Sequence, residues 1–159
     1  MAVSKITYST STAITISLAS LANLSAREST VIDNSSNLYL DAIVYLALDL
    51  NTGTPSQDQA FNIYFYGSED GTNYTDNATG SDAPITLRSP TNLRGPFIIA
   101  TPTSGGLVYK AVIGSVASYF GGVLPRKWGI VVENRCGVTL SGTEGNHIKS
   151  YTGLTITST

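Results

Sequence analysis

The chain holds one cysteine, one histidine, one methionine and one tryptophan in 159 residues, and charged side chains make up only 13% of it. Each shortage removes a class of function. Cys136 alone forms no internal disulfide, and its place after the apolar pair Val131-Val132 reads as a small buried residue, not a reactive thiol. Cys136 and His147 together fall short of the three or four ligands that a zinc site needs. A hydrolytic triad needs a base beside a nucleophile. His147 stands alone in the hairpin-like stretch Gly142-Thr143-Glu144-Gly145-Asn146-His147, where an ordinary surface role is expected, and no Gly-x-Ser-x-Gly occurs. No catalytic residue is assigned, and neither cofactor nor metal is expected.

Basic charge is equally thin. The net charge is −2 and the densest basic stretch is Arg126-Lys127, so phosphate neutralisation gives no reason to expect nucleic acid as a partner. No apolar run reaches the roughly 20 residues of a bilayer-spanning helix, so no membrane partner is expected either. The apolar stretch Ala13–Leu24 after Lys5 is broken by Thr15, Ser17, Ser20 and Asn23, which argues against a secretory signal. The Asn-X-Ser/Thr triplets at Asn23, Asn34, Asn73 and Asn77 then carry no glycosylation meaning.

What takes the place of charge is hydroxyl and amide: 19 Ser, 20 Thr and 10 Asn, many alternating with apolar residues. Threonine suits a half-exposed strand face. Period-two alternation recurs from end to end and helical periodicity is nearly absent. Ile14, Ile16 and Leu18 oppose Thr15 and Ser17. The longest alternation runs Leu38, Leu40, Ala42, Val44, Leu46, Leu48, Leu50, with Tyr39, Asp41, Ile43, Tyr45, Ala47 and Asp49 between, which predicts a central strand. Phe61–Gly67 has aromatics on both faces, so both faces should be covered. Shorter strands are expected at Ile85–Arg88, Phe97–Thr101, Leu107–Ile113, Trp128–Val132, Gly137–Leu140 and Tyr151–Thr157, with a single helical turn at Val116–Phe120 ended by Gly121-Gly122. Trp128 opens an apolar strand and should anchor the core. The expected fold is all-β: one antiparallel β-sandwich over residues 1–159 with about nine or ten short strands, a jelly roll being one form of it. One domain suffices, since a chain of about 150 residues buries roughly 70% of its unfolded surface.

Two features invite a functional reading. Glu69, Asp70, Asn73, Asp76 and Asp82 cluster in one loop region, Glu69–Asp82, which begins in the hairpin signal Asp70-Gly71 and continues into Asp76–Pro84, a stretch free to reach outward from the sheets. Hard cations favour such oxygen ligands, but the spacing departs from the EF-hand pattern, which favours a solvated acidic turn. A glycosidase-type carboxylate pair drawn from this loop is the least favoured reading. The second feature is nine tyrosines. Most fall within strands, where ring packing is the ordinary role, but tyrosine is also enriched at protein interfaces. Tyr39, Tyr45, Tyr64, Tyr66, Tyr74 and Tyr151 are the candidate interface or binding residues.

Three stretches carry a family likeness: 25–29 leading into 32–41 (Ser-Ala-Arg-Glu-Ser, then Ile-Asp-Asn-Ser-Ser-Asn-Leu-Tyr-Leu-Asp), 64–76 (Tyr-Phe-Tyr-Gly-Ser-Glu-Asp-Gly-Thr-Asn-Tyr-Thr-Asp) and 120–134 (Phe-Gly-Gly-Val-Leu-Pro-Arg-Lys-Trp-Gly-Ile-Val-Val-Glu-Asn). Together they resemble small virion-associated proteins of tailed bacteriophages, a group that includes capsid decoration (cement) and tail accessory proteins. The resemblance implies a β-sandwich that self-associates into a homo-oligomer, sits on a shell of major capsid protein and is located in the virion, head or tail, after assembly in the host cytoplasm. Arms for such contacts are expected at Ala2–Ser11, Ala22–Asn37 and Tyr151–Thr159. The alternatives are a receptor- or glycan-binding module of a head or tail fibre, using tyrosines and the Glu69–Asp82 loop, and a tail or neck component.

Overall fold

The computed structural model describes residues 3–158. Two antiparallel sheets share one core. The first contains β1 (Ser4–Tyr8), β2 (Thr12–Ala13), β5 (Asp41–Asp49), β9 (Val108–Ile113) and β11 (Ile148–Ser158), in the order β1-β11-β5-β9 with β2 beside β11. The second contains β3 (Ala26–Glu28), β4 (Ile32–Asp33), β6 (Ala60–Ser68), β7 (Ala83–Pro84), β8 (Arg94–Ala100) and β10 (Lys127–Arg135), in the order β7-β3-β10-β6-β8 with β4 also beside β10. They are called sheet A and sheet B below. The all-β sandwich expected from the alternation is therefore present.

The period of two explains how the core fills. On β5, Ala42, Val44, Leu46 and Leu48 are fully buried against Ile63, Phe65, Trp128, Ile130 and Val132 of the facing sheet. Each of the larger aliphatic side chains contributes about 1.5–3 kcal/mol by leaving water. Trp128 is the expected anchor, with its ring edge-on to Tyr151 at 5.5 Å. The pairing of β10 with β6 is unbroken from Lys127↔Ser68 to Arg135↔Ala60, which makes this pair the spine of sheet B. The single turn α1 (Val116–Tyr119) lies where the sequence placed it. Its Ser115 cap accepts the Ser118 N–H, and the Asp41 carboxylate accepts the Ala117 N–H at 2.8 Å.

Several expectations change. The alternation at Leu38 and Leu40 does not extend β5, and both residues are exposed, because Asn34 closes a turn: its side chain accepts Tyr39 N–H at 2.8 Å and donates to Tyr39 C=O at 2.9 Å. Ile14, Ile16 and Leu18 are buried as predicted, but their segment forms no ladder. It crosses from sheet A to sheet B, held by single bonds such as Ile14 N–H to Lys149 C=O and Leu18 N–H to the Glu144 carboxylate. The stretch 22–37 is no arm, because β3 and β4 pair with β10. Ile85–Arg88 lies outside any strand, and of Gly137–Leu140 only Leu140 makes a bridge, to Leu50. The other two expected arms pair with each other. β1 runs antiparallel to the end of β11 from Ser4↔Ser158 to Tyr8↔Leu154, a two-stranded ribbon whose β1 side chains are all exposed. Ala2 and Thr159 lie outside the described residues.

Candidate functional site

The acidic loop does not reach outward. Its apolar residues Tyr74 and Ala78, together with Ile85, Leu87 and Leu93 further along, pack on Tyr64, Tyr66 and Val131, the outward-pointing residues of β6 and β10. Residues 69–93 thus form a cover over sheet B, which answers the expectation that β6 is covered on both faces. The carboxylates work inside this cover and do not converge. Asp70 accepts the Thr72 and Asn73 N–H groups at 2.8 Å each, and Asp76 accepts the Thr91 hydroxyl and Asn92 N–H at 2.6 Å each. Asp82 pairs with Arg27 and accepts the Ser17 N–H at 3.0 Å. Their donors hold the Asp70 and Asp76 carboxyls below the ordinary range, and at Asp82 burial acts the other way but is outweighed by Arg27 and Ser17. Among the described residues no group of three or more acidic, histidine or cysteine side chains is placed to hold a metal ion.

The six candidate tyrosines separate. Tyr66 and Tyr151 are buried and Tyr64 is 9% exposed, so these three pack within the domain and do not face a partner, a correction that follows from their covered strand faces. The Tyr66 hydroxyl donates to Ser29 C=O at 2.7 Å. Tyr74 is half-buried, edge-on to Tyr66 at 5.8 Å, with its hydroxyl on Gly71 C=O. Tyr39 is half-buried and lies on Gly153, where a Cβ would come within 2.3 Å of its ring. Tyr45 alone is on an open face, the outer side of sheet A.

That outer side is the distinctive surface of the molecule. Among the described residues nothing covers it in the way that residues 69–93 cover sheet B. The register places on one face Val108, Lys110 and Val112 of β9, Ile43, Tyr45, Ala47 and Asp49 of β5, and Ile148, Ser150 and Thr152 of β11, and continues it onto the ribbon as Leu154, Ile156, Ile6 and Tyr8. Ile6, Tyr8, Val112 and Ile156 are each at least 60% exposed, and Val108 and Ile148 about half. Large exposed apolar patches on a soluble domain mark interaction surfaces. The charged residues that the register places on this face are Lys110, Asp49 and, at the start of β5, Asp41, and Lys110 has no carboxylate within ion-pair distance among the described residues.

A second feature is a cleft of about 710 Å³ at one end of sheet B, where Asn73 and Tyr74 meet Asn92, Arg94, Phe120 and Arg126. Neither arginine has a carboxylate within ion-pair distance among the described residues.

His147 proves to be buried, 4% exposed, and not a surface residue. Its Nδ1 accepts the Asp49 N–H at 3.1 Å, so Nε2 carries the proton toward Ser141 C=O, also at 3.1 Å. Cys136 is buried as expected, and burial raises its thiol pKa.

No family model, curated protein or solved structure matches the chain.

Sequence reasoning missed Val108, Val112 and Ile148, whereas Ile6, Tyr8 and Ile156 fall within the segments Ala2–Ser11 and Tyr151–Thr159 expected to make contacts. The available signal was that β9 and β11 carry apolar residues at both parities, the pattern of a strand covered on both sides.

Proposed function

We propose that this chain is a structural virion protein that decorates and cements the head of a tailed phage. It docks the outer face of sheet A on the major capsid protein and associates with further copies of itself. One observation carries this reading: sheet B is covered on its outer face by residues 69–93, whereas sheet A presents Ile6, Val108, Val112, Ile148 and Ile156 to solvent. A domain able to cover one sheet but leaving the other apolar is shaped for a partner. The family likeness of the stretches 25–29 with 32–41, 64–76 and 120–134 supports major capsid protein as that partner. Catalysis has no part in this reading. Binding to a repeating shell gains by avidity, because modest contacts add over many linked sites.

The test uses heads prepared without the protein, to which purified protein is added back. Occupancy is measured by cosedimentation, and head integrity by resistance to heat. Val112→Asp and Ile156→Asp should abolish occupancy while the protein stays folded. Heads equally heat-resistant with and without the protein would end the cementing role, and undiminished occupancy of both variants would end the assignment of the face.

A second reading, a receptor- or glycan-binding module of a fibre, has the Arg94–Arg126 cleft in its favour, since aromatic, amide and guanidinium groups, with the Glu69 carboxylate beside them, suit the hydroxyls of a sugar. A specific hit on a glycan array, lost on Arg94→Ala, would favour it over the cementing role. A tail or neck location would show itself as rings of the protein in solution.

A further inference from the structure

Among the described residues six strands have a free edge, and five are unsuited to pairing with another chain. β2, β4 and β7 have two residues each, and β7 includes Pro84. β8 contains Gly95-Pro96, and its register with β6 shifts between Ile63 and Phe65. β1 is regular but fully exposed, paired with the end of β11 and with no buried residue to fix it on the core. Proline, irregularity and shortness are how natural sheets blunt their edges. β9 has none of these. Its six residues, Val-Tyr-Lys-Ala-Val-Ile, contain no Gly or Pro and pair with β5 without interruption from Val108↔Asp49 to Ile113↔Val44. It is also backed by the core, through buried Ile113 and through Tyr109, whose ring lies 6.4 Å from Phe61.

The direction of its free backbone groups follows from one bond. Leu50 N–H donates to Leu107 C=O at 3.0 Å, so residue 107 points its backbone at β5. Along a strand this direction alternates. Tyr109, Ala111 and Ile113 therefore bond to β5, and Val108, Lys110 and Val112 aim their N–H and C=O groups away from the sheet.

We infer that β9 pairs antiparallel with β9 of a second copy of this chain across a two-fold axis at Tyr109, joining two A sheets into one. Two conditions limit the register. Opposed residues must lie on the same face, and a register that opposes Lys110 to Lys110 sets like charges together. Centring on Tyr109 or on Ala111 satisfies both, and the Tyr109 register is the one that brings Lys110 toward an acidic residue. It opposes Val108 to Lys110 of the second copy, and these are the residues whose N–H and C=O groups point outward. It also supplies charge complementarity: Lys110 then lies beside Val108 of the second copy, whose neighbour across the ladder on the same face is Asp49. Two strand spacings, roughly 10 Å between backbones, separate Lys110 from that Asp49, a gap that the two side chains narrow from both ends. The contact is isologous, so it closes at two copies and does not propagate. Both apolar faces then lie on the same side of one wide sheet.

This deepens the self-association part of the proposed function and needs no capsid, so the two can fail separately. Sedimentation equilibrium of the isolated full-length protein, from micromolar to submillimolar concentration, is the measurement. The wild type should be a monomer–dimer equilibrium. Val108→Pro removes an N–H that faces outward and takes none from the β5 ladder, so it should be monomeric, with the unfolding midpoint that the wild type shows when diluted to monomer. Lys110→Glu, an exposed charge reversal that keeps the edge intact, should weaken the dimer about tenfold. Ile6→Pro, which blocks the β1 edge instead, should leave it unchanged. A wild type that stays monomeric throughout, a dimer that survives Val108→Pro, or one lost on Ile6→Pro overturns the pairing. Should Val108→Pro fail to fold, a dimer indifferent to Lys110→Glu overturns it equally.

Discussion

Glu28 holds Thr79. The carboxylate, 1% exposed on β3, accepts the Thr79 N–H at 2.8 Å, the Thr79 hydroxyl at 2.8 Å and the Gly80 N–H at 3.2 Å. A strand of sheet B thereby grips the middle of its own cover. Replacing Glu28 with Ala leaves three donors without their acceptor beside a buried cavity, and unsatisfied groups of this kind cost about 1–3 kcal/mol each, less where water enters. Glu28→Ala should lower the urea midpoint and speed amide exchange in residues 74–87 ahead of the rest.

Tyr66 lies across Gly129, where a Cβ would stand 2.3 Å from the ring. Gly129→Ala must push that ring off its strand, and overpacking of this sort costs about 1–3 kcal/mol. Tyr66→Phe keeps the ring and loses only the bond to Ser29 C=O, about 1 kcal/mol. Chemical denaturation should rank the alanine variant below the phenylalanine one.

Burial pushes the phenols of Tyr64, Tyr66 and Tyr151 up, with Glu133 adding to the effect at Tyr64. The unfolded chain loses these protons near pH ~10, and the folded chain at higher pH. Stability is therefore complete below about pH 10 and falls as pH rises beyond it. Ultraviolet titration should show these three of the nine tyrosines ionising at higher pH in the folded chain than in the unfolded one.

The carboxyls behave in the opposite sense. Asp70 and Asp76 are lowered by the groups that donate to them, and at Asp82 and Glu144 burial is outweighed by Arg27 and Lys149. Their contribution is present above the ordinary carboxylate pKa of about 4 and is lost as pH falls below it. Asp70, Asp76 and Asp82 all tie down the cover, so acid should loosen residues 69–93 before the sandwich. Amide exchange at pH 3 against pH 6 checks the order, and simultaneous loss of both parts would contradict it.

On the open face of sheet A, Val112→Thr and Ile156→Thr remove apolar surface that touches little inside the domain. Such exposed changes shift stability by less than about 0.5 kcal/mol. Solubility at the precipitation limit should rise while the melting temperature holds.

How much of this the sequence disclosed depended on whether a residue's role is local. β5, β6 and β10 were legible because period two states which face is buried, and Trp128 was placed correctly for that reason. Burial of Ile14, Ile16 and Leu18 was legible too, but their lack of a ladder was not, since alternation records which side is covered and not what the backbone bonds to. Leu38 and Leu40 kept the rhythm of β5 and lost its structure to the Asn34 turn. The cover over sheet B was hidden because Tyr74, Ala78, Ile85, Leu87 and Leu93 follow no period. Its need was visible all the same in the aromatics on both faces of β6. The open face was hidden for the converse reason: Val108 and Val112 look the same in sequence whether their cover is intramolecular or another molecule.

The ribbon of β1 and β11 brings Ser4 opposite Ser158. A linker of a few residues joining these two strands would therefore close residues 4–158 into a ring. Ring closure removes the fraying that a free two-stranded ribbon invites, and it lets a cut be made at an exposed turn such as Gly121-Gly122 without rethreading a strand. Two segments fused outside Ser4 and Ser158 would set out from one shared point, on the rim of the apolar face.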